Sequence, residues 1–228
     1  MLSNKQPTYT GPCAPAPIRL LNTVARRAKP ISDRLNPLEL QGLFESACHK
    51  TGLSEWGDQR FKEALRVLLN SVSREGQLTF FGRFALRQFL VDNLCRRLRI
   101  IETVKRFPEI GRQKILRPIF IIGWYRTGST YLHNLLSSHP DLRAPLLWEL
   151  RHPCPALDPR QVDSQKIIRK VRLTGHIHRY LSPGFSVAHA MPAEKPEECL
   201  HLFENAFCGT TGFFITEAKT YAWWLLDQ

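Results

Sequence analysis

The sequence predicts an α/β protein, a parallel sheet flanked by helices, incomplete at its C-terminus and preceded by an all-helical N-terminal region. Three observations carry this reading. Apolar residues recur at helical spacing from Asn36 to about Phe107. Pro118-Ile119-Phe120-Ile121-Ile122 is then a continuous apolar, β-branched run closed by Gly123, the pattern of a strand buried on both faces. A glycine turn and a helix carrying Tyr131, Leu132, Leu135 and Leu136 follow at once, and strand, glycine turn and helix together open a parallel sheet. The chain divides accordingly into a basic, Pro-rich and flexible leader (1–35), a helical region (36–116) and the first part of an α/β domain (117–228).

Composition bounds the function classes. The chain has 228 residues, 43% of them hydrophobic and 23% charged, so it can bury a sizeable core and is neither disordered nor collagenous. Its richest apolar run, Pro118 to Tyr125, falls far short of the roughly 18–20 residues of a membrane span. The 32 Lys+Arg exceed the 20 Asp+Glu by 12. A nucleic-acid partner is not expected, because the basic residues are scattered and no RNP, zinc-finger or helix-turn-helix pattern accompanies them. The charge suits a small, highly anionic ligand instead.

Of the six cysteines, Cys48 and Cys95 fall in helical patterns as buried free thiols. Cys199, His201 and Cys208 sketch a partial metal site, but without a tight CxxC or HxxxH pair no metal is expected. The absence of a secretory pattern points to the cytoplasm. The first 32 residues hold five prolines and no acidic residue. Ile18 to Arg27 could form a basic amphipathic helix of the transit-peptide kind, which gives a mitochondrial location as the alternative to a flexible leader.

In the helical region, Asn36-Pro37 reads as a cap with proline at the first helical position. Leu40, Leu43, Phe44 and Ala47 continue it, and Gly52 closes it. Asp58 can cap the next helix, whose stripe is Phe61, Ala64, Leu65, Leu68, Leu69 and Val72. Gly76 separates this from a longer helix with Phe80, Phe84, Phe89, Leu90, Leu94 and Leu98. Beyond Pro140 come turns, a basic helix from about Gln165 to Leu181, a helical stretch from Glu194 to Phe207, and a last aromatic helix, Tyr221 to Leu226.

Chemistry concentrates in Gly123-Trp124-Tyr125-Arg126-Thr127-Gly128-Ser129-Thr130. The N–H groups of a glycine turn and of a first helical turn converge, and the helix dipole adds positive potential where they meet. Such a point takes a phosphate or sulfate. Gly128 allows close backbone approach, Ser129 and Thr130 add hydroxyls, and Arg126 adds a fixed charge and a planar fork of donors. Against the triphosphate loop GxxxxGK[ST], the glycine spacing and Thr130 match, but Ser129 stands where the lysine must be. A kinase or nucleotide hydrolase, which needs that lysine on its β- and γ-phosphates, becomes the alternative reading.

The segment from Pro118 to Thr130 resembles the 5′-phosphosulfate loop of the P-loop sulfotransferases, in the branch with a helical N-terminal region and the pattern GxxRTGTTxLhxLL. Leu132-His133-Asn134-Leu135-Leu136, His139-Pro140-Asp141-Leu142-Arg143-Ala144-Pro145 and Trp148-Glu149 continue the likeness. So do Thr51-Gly52-Leu53 with Gly57-Asp58, Pro196-Glu197-Glu198 and Tyr221-Ala222-Trp223-Trp224-Leu225, so that it runs from about residue 20 to the end. Ser129 replaces the usual Thr and keeps the hydroxyl. The strand–Arg–Pro…Ser block that holds the 3′-phosphate in that family is not found, and the expectation is a catalytic domain truncated before it.

The resemblance implies a sulfotransferase that uses 3′-phosphoadenosine 5′-phosphosulfate (PAPS) and a hydroxyl-bearing acceptor, a small molecule, glycan or lipid, with a homo-oligomer compatible. It places Gly123, Arg126, Thr127, Gly128, Ser129 and Thr130 around the 5′-phosphosulfate. It makes Arg126 the catalytic donor to the bridging oxygen and Glu149 the catalytic base. Glu149 could instead be a structural carboxylate paired with Arg143 or Arg151, and His152, His139 and His133 are rival bases. A truncated relative that binds anions without catalysis is the remaining alternative.

Overall fold

The computed structural model describes residues 15–27, 36–123, 127–154, 162–181, 189 and 191–228. Helix α1 (Ala16–Arg27) lies within the leader, over the Ile18–Arg27 stretch that the sequence offers as a basic amphipathic helix. Asn22 is buried and its side-chain oxygen accepts from the Phe81 N–H at 3.1 Å, satisfying an N-terminal donor of a later helix and docking α1 there. The rest of the predicted leader, residues 1–14 and 28–35, lies outside the described residues.

Helix α2 (Leu40–Thr51) starts three residues after the predicted Asn36-Pro37 cap, with Glu39 as its N-cap. Asn36 is buried and its carbonyl accepts from Arg83 Nε at 2.8 Å, so it serves a tertiary bond instead of the helix start. Gly52 ends α2 as predicted, at φ +69°, with its N–H bonded to the Cys48 carbonyl at 2.7 Å. Before α3 (Phe61–Glu75), Asp58 accepts from the Arg60 N–H at 2.8 Å. The Arg60 bonds hold its carboxyl down at about 2. Helix α4 (Phe80–Arg106) has 27 residues, a rod of about 40 Å, and Thr79 caps it by accepting from the Gly82 N–H at 3.1 Å.

One core unites these helices. Leu43 and Ala47 of α2, Leu65 and Leu68 of α3, and Leu90, Leu94 and Leu98 of α4 are all at or near zero exposure. Phe207, Ala218 and Tyr221 from the other end of the chain complete it. Residue 116 therefore marks no boundary in the packing.

After the 3₁₀ turn Ile110–Arg112 the chain continues into α5 (Ser129–Leu136), α6 (Leu147–Arg151) and α7 (Ser164–Leu181). The predicted basic helix is α7, whose Lys166 N–H donates to Asp163 Oδ1 at 3.0 Å. A second, small core joins Leu147 of α6, Ile168 and Val171 of α7, and Ala193. Helix α8 (Leu200–Phe203) passes into a 3₁₀ turn (Glu204–Ala206), followed by α9 (Thr211–Thr216) and α10 (Lys219–Leu226). The helix predicted over Glu194–Phe207 is thus confined to its second half. Leu146 and Pro196 form an antiparallel bridge, and the Lys195 carbonyl is spent on the Leu147 N–H at 3.0 Å.

The largest departure concerns Pro118–Ile122. The segment carries no strand pairing among the described residues. Ile119, Phe120 and Ile122 are 62%, 75% and 93% exposed, and no strand occurs among the described residues. A central parallel strand exists only through hydrogen bonds to neighbours on its edges, and no bridge to this segment occurs among the described residues. No described helix is long and apolar enough to cross a membrane.

Candidate active site

The loop after residue 122 is shaped by its two glycines. A Cβ on Gly123 would lie 3.0 Å from Thr127 Oγ1, a close approach that would press on the threonine hydroxyl. Gly128 has φ +88° and is the N-cap of α5. The first α5 bond runs from the Leu132 N–H to the Gly128 carbonyl at 3.0 Å, so the N–H groups ahead of it open toward the loop. Thr127, Gly128 and Thr130 are exposed and Ser129 is half-buried, which leaves this mouth accessible. Of the six predicted anion-binding residues, Gly123 lies near Thr127, and Gly128, Ser129 and Thr130 open α5 directly after it. The sixth, Arg126, lies outside the described residues.

Downstream, the chain turns at His139-Pro140-Asp141. The Leu142 N–H donates to the His139 carbonyl at 3.1 Å, and His139 Nδ1 accepts from the Asp141 N–H at 3.3 Å. His139 is thereby engaged in the turn that leads to α6.

Glu149 sits in the first turn of α6. Its Oε2 accepts from the Leu146 N–H at 2.8 Å, and its Oε1 accepts from Arg143 Nη2 at 2.7 Å. The side chain is 26% exposed and that of Arg143 76%. Of the two structural partners the sequence offers, Arg143 is the one it meets. Each carboxylate oxygen accepts one bond and keeps a further lone pair. The start of α6 is fixed from outside by residues 193–197, where the Trp148 N–H donates to the Ala193 carbonyl at 3.0 Å and the Glu197 N–H to the Pro145 carbonyl at 3.1 Å.

His152, at the end of α6, is a different environment. Burial first, then the charges of Lys170, Arg96, Arg99 and Arg151, press its imidazole down to about 4. It is neutral near neutral pH, the state a base requires.

Sequence reasoning missed two groups of residues. Glu197 is buried and its Oε1 meets His189 Nε2 at 3.2 Å while also accepting from the Glu198 N–H at 2.9 Å. The Pro196-Glu197-Glu198 motif marked the place but not the pairing. The cations around His152 come from three separate helices, and no spacing in the sequence gathers them. Cys199, His201 and Cys208 assemble no metal-ligating group among the described residues.

Residues 118–228 match the Sulfotransferase family profile. The match begins at the exposed apolar segment and takes in the loop, Glu149 and the C-terminal helices. Sulfotransferase STF1 of Mycobacterium tuberculosis superposes with a TM-score of 0.71 at 32% identity, covering 83% of this chain and 53% of its own. Residues 118–228 are thus similar to the sulfotransferase family.

The sulfotransferase STF9 of Mycobacterium avium is similar at 25% identity and a TM-score of 0.68, covering 82% of this chain and 48% of its own. The chain thus spans about half the length of both solved structures. Both alignments reach far beyond residues 118–228, so the helical N-terminal half is part of the shared sulfotransferase architecture, which is of the α/β class. No curated protein matches the chain.

Proposed function

We propose that this chain carries the phosphosulfate-gripping part of a sulfotransferase and serves the transfer of a sulfuryl group from PAPS to a hydroxyl-bearing acceptor. The observation that carries the reading is Gly128, in left-handed backbone as the N-cap of α5, beside Thr127, whose hydroxyl lies 3.0 Å from where a Cβ on Gly123 would stand. That cradle fits the tetrahedral 5′ end of the donor, and on this reading the exposed run Pro118–Ile122 is the strand of a parallel P-loop sheet. PAPS supplies the sulfuryl group and a leaving phosphate.

The chain's own residues do the rest. The N–H groups of the first α5 turn and the hydroxyls of Thr127, Ser129 and Thr130 orient the 5′-phosphate. Arg126 supplies the fixed charge for the oxygen on which negative charge grows as the sulfur–oxygen bond breaks. Glu149 takes the acceptor's proton. The acceptor is a small molecule, glycan or lipid alcohol, and the protein acts in the cytoplasm.

Calorimetry with adenosine 3′,5′-bisphosphate, and transfer of labelled sulfur from PAPS to a panel of alcohols, test the proposal. Arg126→Ala is expected to weaken binding by about tenfold or more, as loss of a charge-assisted pair does. Magnesium-dependent ATP binding with none of the bisphosphate would overturn it in favour of a nucleotide kinase or hydrolase. Bisphosphate binding without transfer to any alcohol would favour the non-catalytic, anion-binding relative.

A further inference from the structure

Helices α4, α6 and α7 enclose a cavity of about 380 Å³, within the range of small-molecule sites. Five fixed cations line it, Lys50, Arg96, Arg99, Arg151 and Lys170, against one carboxylate, Asp92. Lys50 and Asp92 lie 3.8 Å apart and offset each other. Four cations from three helices are left facing one space. Among the described residues the side chains of Arg99, Arg151 and Lys170 make no ion pair or hydrogen bond, and the Lys170 carbonyl accepts from the Thr174 hydroxyl at 3.0 Å.

Arg96 is the decisive member. It is 9% exposed, and its Nη1 is buried without any hydrogen-bond partner. Its Nε reaches only the Asp92 carbonyl in its own helix, at 3.4 Å. An unpaired buried guanidinium beside other cations is among the costliest arrangements a fold can hold, and it is tolerated where an anion completes it. The buried carboxylate of Glu204 is the other acidic group whose field reaches Arg96 and Arg151. Its Oε1 accepts from the Thr211 hydroxyl and lies 3.6 Å from His201 Nδ1, while its Oε2 is buried without a hydrogen-bond partner, so this one carboxylate offsets at most one of the cations.

We propose that this cavity is a second anion site, separate from the loop at residues 123–130, and that it takes a phosphate or sulfate group, free or as the monoester of a small molecule. A single carboxylate would leave three of the four cations uncompensated, whereas a tetrahedral dianion offers several acceptor oxygens to guanidinium forks from different sides. Asp92, Lys170 and Thr174 are exposed at its rim, which gives a ligand a way in. Glu149 and Arg151 stand two residues apart in α6 and so project from different faces of it, which sets the cavity apart from the candidate base.

This inference does not depend on the sulfotransferase reading, and the test keeps them apart. The protein carrying Arg126→Ala, with its loop site disabled, is titrated with inorganic phosphate and with glycerol 2-phosphate by calorimetry and thermal shift. Both are expected to bind and to raise Tm. Adding Arg96→Met should weaken phosphate at least tenfold and, by removing the unpaired charge, raise Tm in phosphate-free buffer. Arg151→Gln, at a half-buried position, repeats the affinity test should Arg96→Met fail to fold. Tighter binding of inorganic phosphate than of the monoester would assign the site to the free ion, and the reverse to an esterified ligand. No phosphate binding in the Arg126→Ala protein, or undiminished binding after either cavity substitution, would overturn the site. So would loss of adenosine 3′,5′-bisphosphate affinity on Arg96→Met in an otherwise unaltered chain, since the cavity would then belong to the donor.

Discussion

The backbone N–H of Tyr221 donates to the hydroxyl of Ser71 at 3.2 Å, joining the last helix to α3 across 150 residues. The Tyr221 ring is buried in the main core, and its hydroxyl donates to the carbonyls of Phe207 at 2.7 Å and Gly209 at 2.9 Å. Next to it the Thr220 N–H and hydroxyl both donate to the Glu75 carboxylate. The C-terminal helices are thus bolted to the helical region by polar bonds within an apolar contact.

Tyr221→Phe keeps the ring and removes the donor, which strands two carbonyls in the interior. Each buried acceptor left unpaired costs about 1–3 kcal/mol, so the expected loss is at the upper end of that range. Urea unfolding measures it, and an unchanged midpoint would show that these bonds do not hold the terminus down.

Gly128→Ala tests the loop backbone. At φ +88° an added Cβ costs about 1–2 kcal/mol in backbone strain, although nothing lies within 4 Å of its position. Adenosine 3′,5′-bisphosphate affinity is expected to fall with stability. Gly111→Ala is the control, because nothing lies within 4 Å of its Cβ position and its φ is ordinary. That variant should stay within about 0.5 kcal/mol of the parent in both readouts.

Glu149→Gln separates the two roles the structure allows this residue. An amide oxygen can still accept from the Leu146 N–H, so the α6 start is retained and stability should change by less than about 1 kcal/mol. A general base lost should lower kcat by about 10²–10⁴-fold with little change in KM. Unaltered kcat in Glu149→Gln would leave the carboxylate a purely structural partner of Arg143.

What could be read ahead of the structure was local. Gly52 and Gly128 were legible because a glycine that closes or opens a helix announces its own left-handed backbone. The stripe on α3 was legible because every third or fourth residue of it is apolar. The partner of Glu149 was half-legible, since Arg143 stood six positions away among two candidates. The strand at Pro118–Ile122 had the right composition, but strand formation depends on a neighbour that composition does not name. The Tyr221–Ser71 bond and the Arg96 cavity were not legible at all, because each joins residues that only the tertiary fold brings near.

Acid should destabilise the fold first through His152. Its imidazole titrates at about 4 in the folded chain against an ordinary 6.5, because burial and then Lys170, Arg96, Arg99 and Arg151 oppose a further charge. A depressed folded value means that the unfolded chain binds more protons between those limits, so stability is intact above 6.5 and declines as pH falls toward 4. Glu75 adds a second, more acidic window: the Thr220 hydroxyl and N–H hold its carboxyl at about 2 against an ordinary 4.5, and what it contributes is lost as pH falls through that interval. His152→Gln should flatten the first decline and leave the second. The measurement is the urea midpoint at steps of pH from neutral to acid, with and without phosphate. A phosphate in the cavity would raise the His152 value and so shrink the first window, whereas identical profiles with and without phosphate would count against an anion beside this histidine.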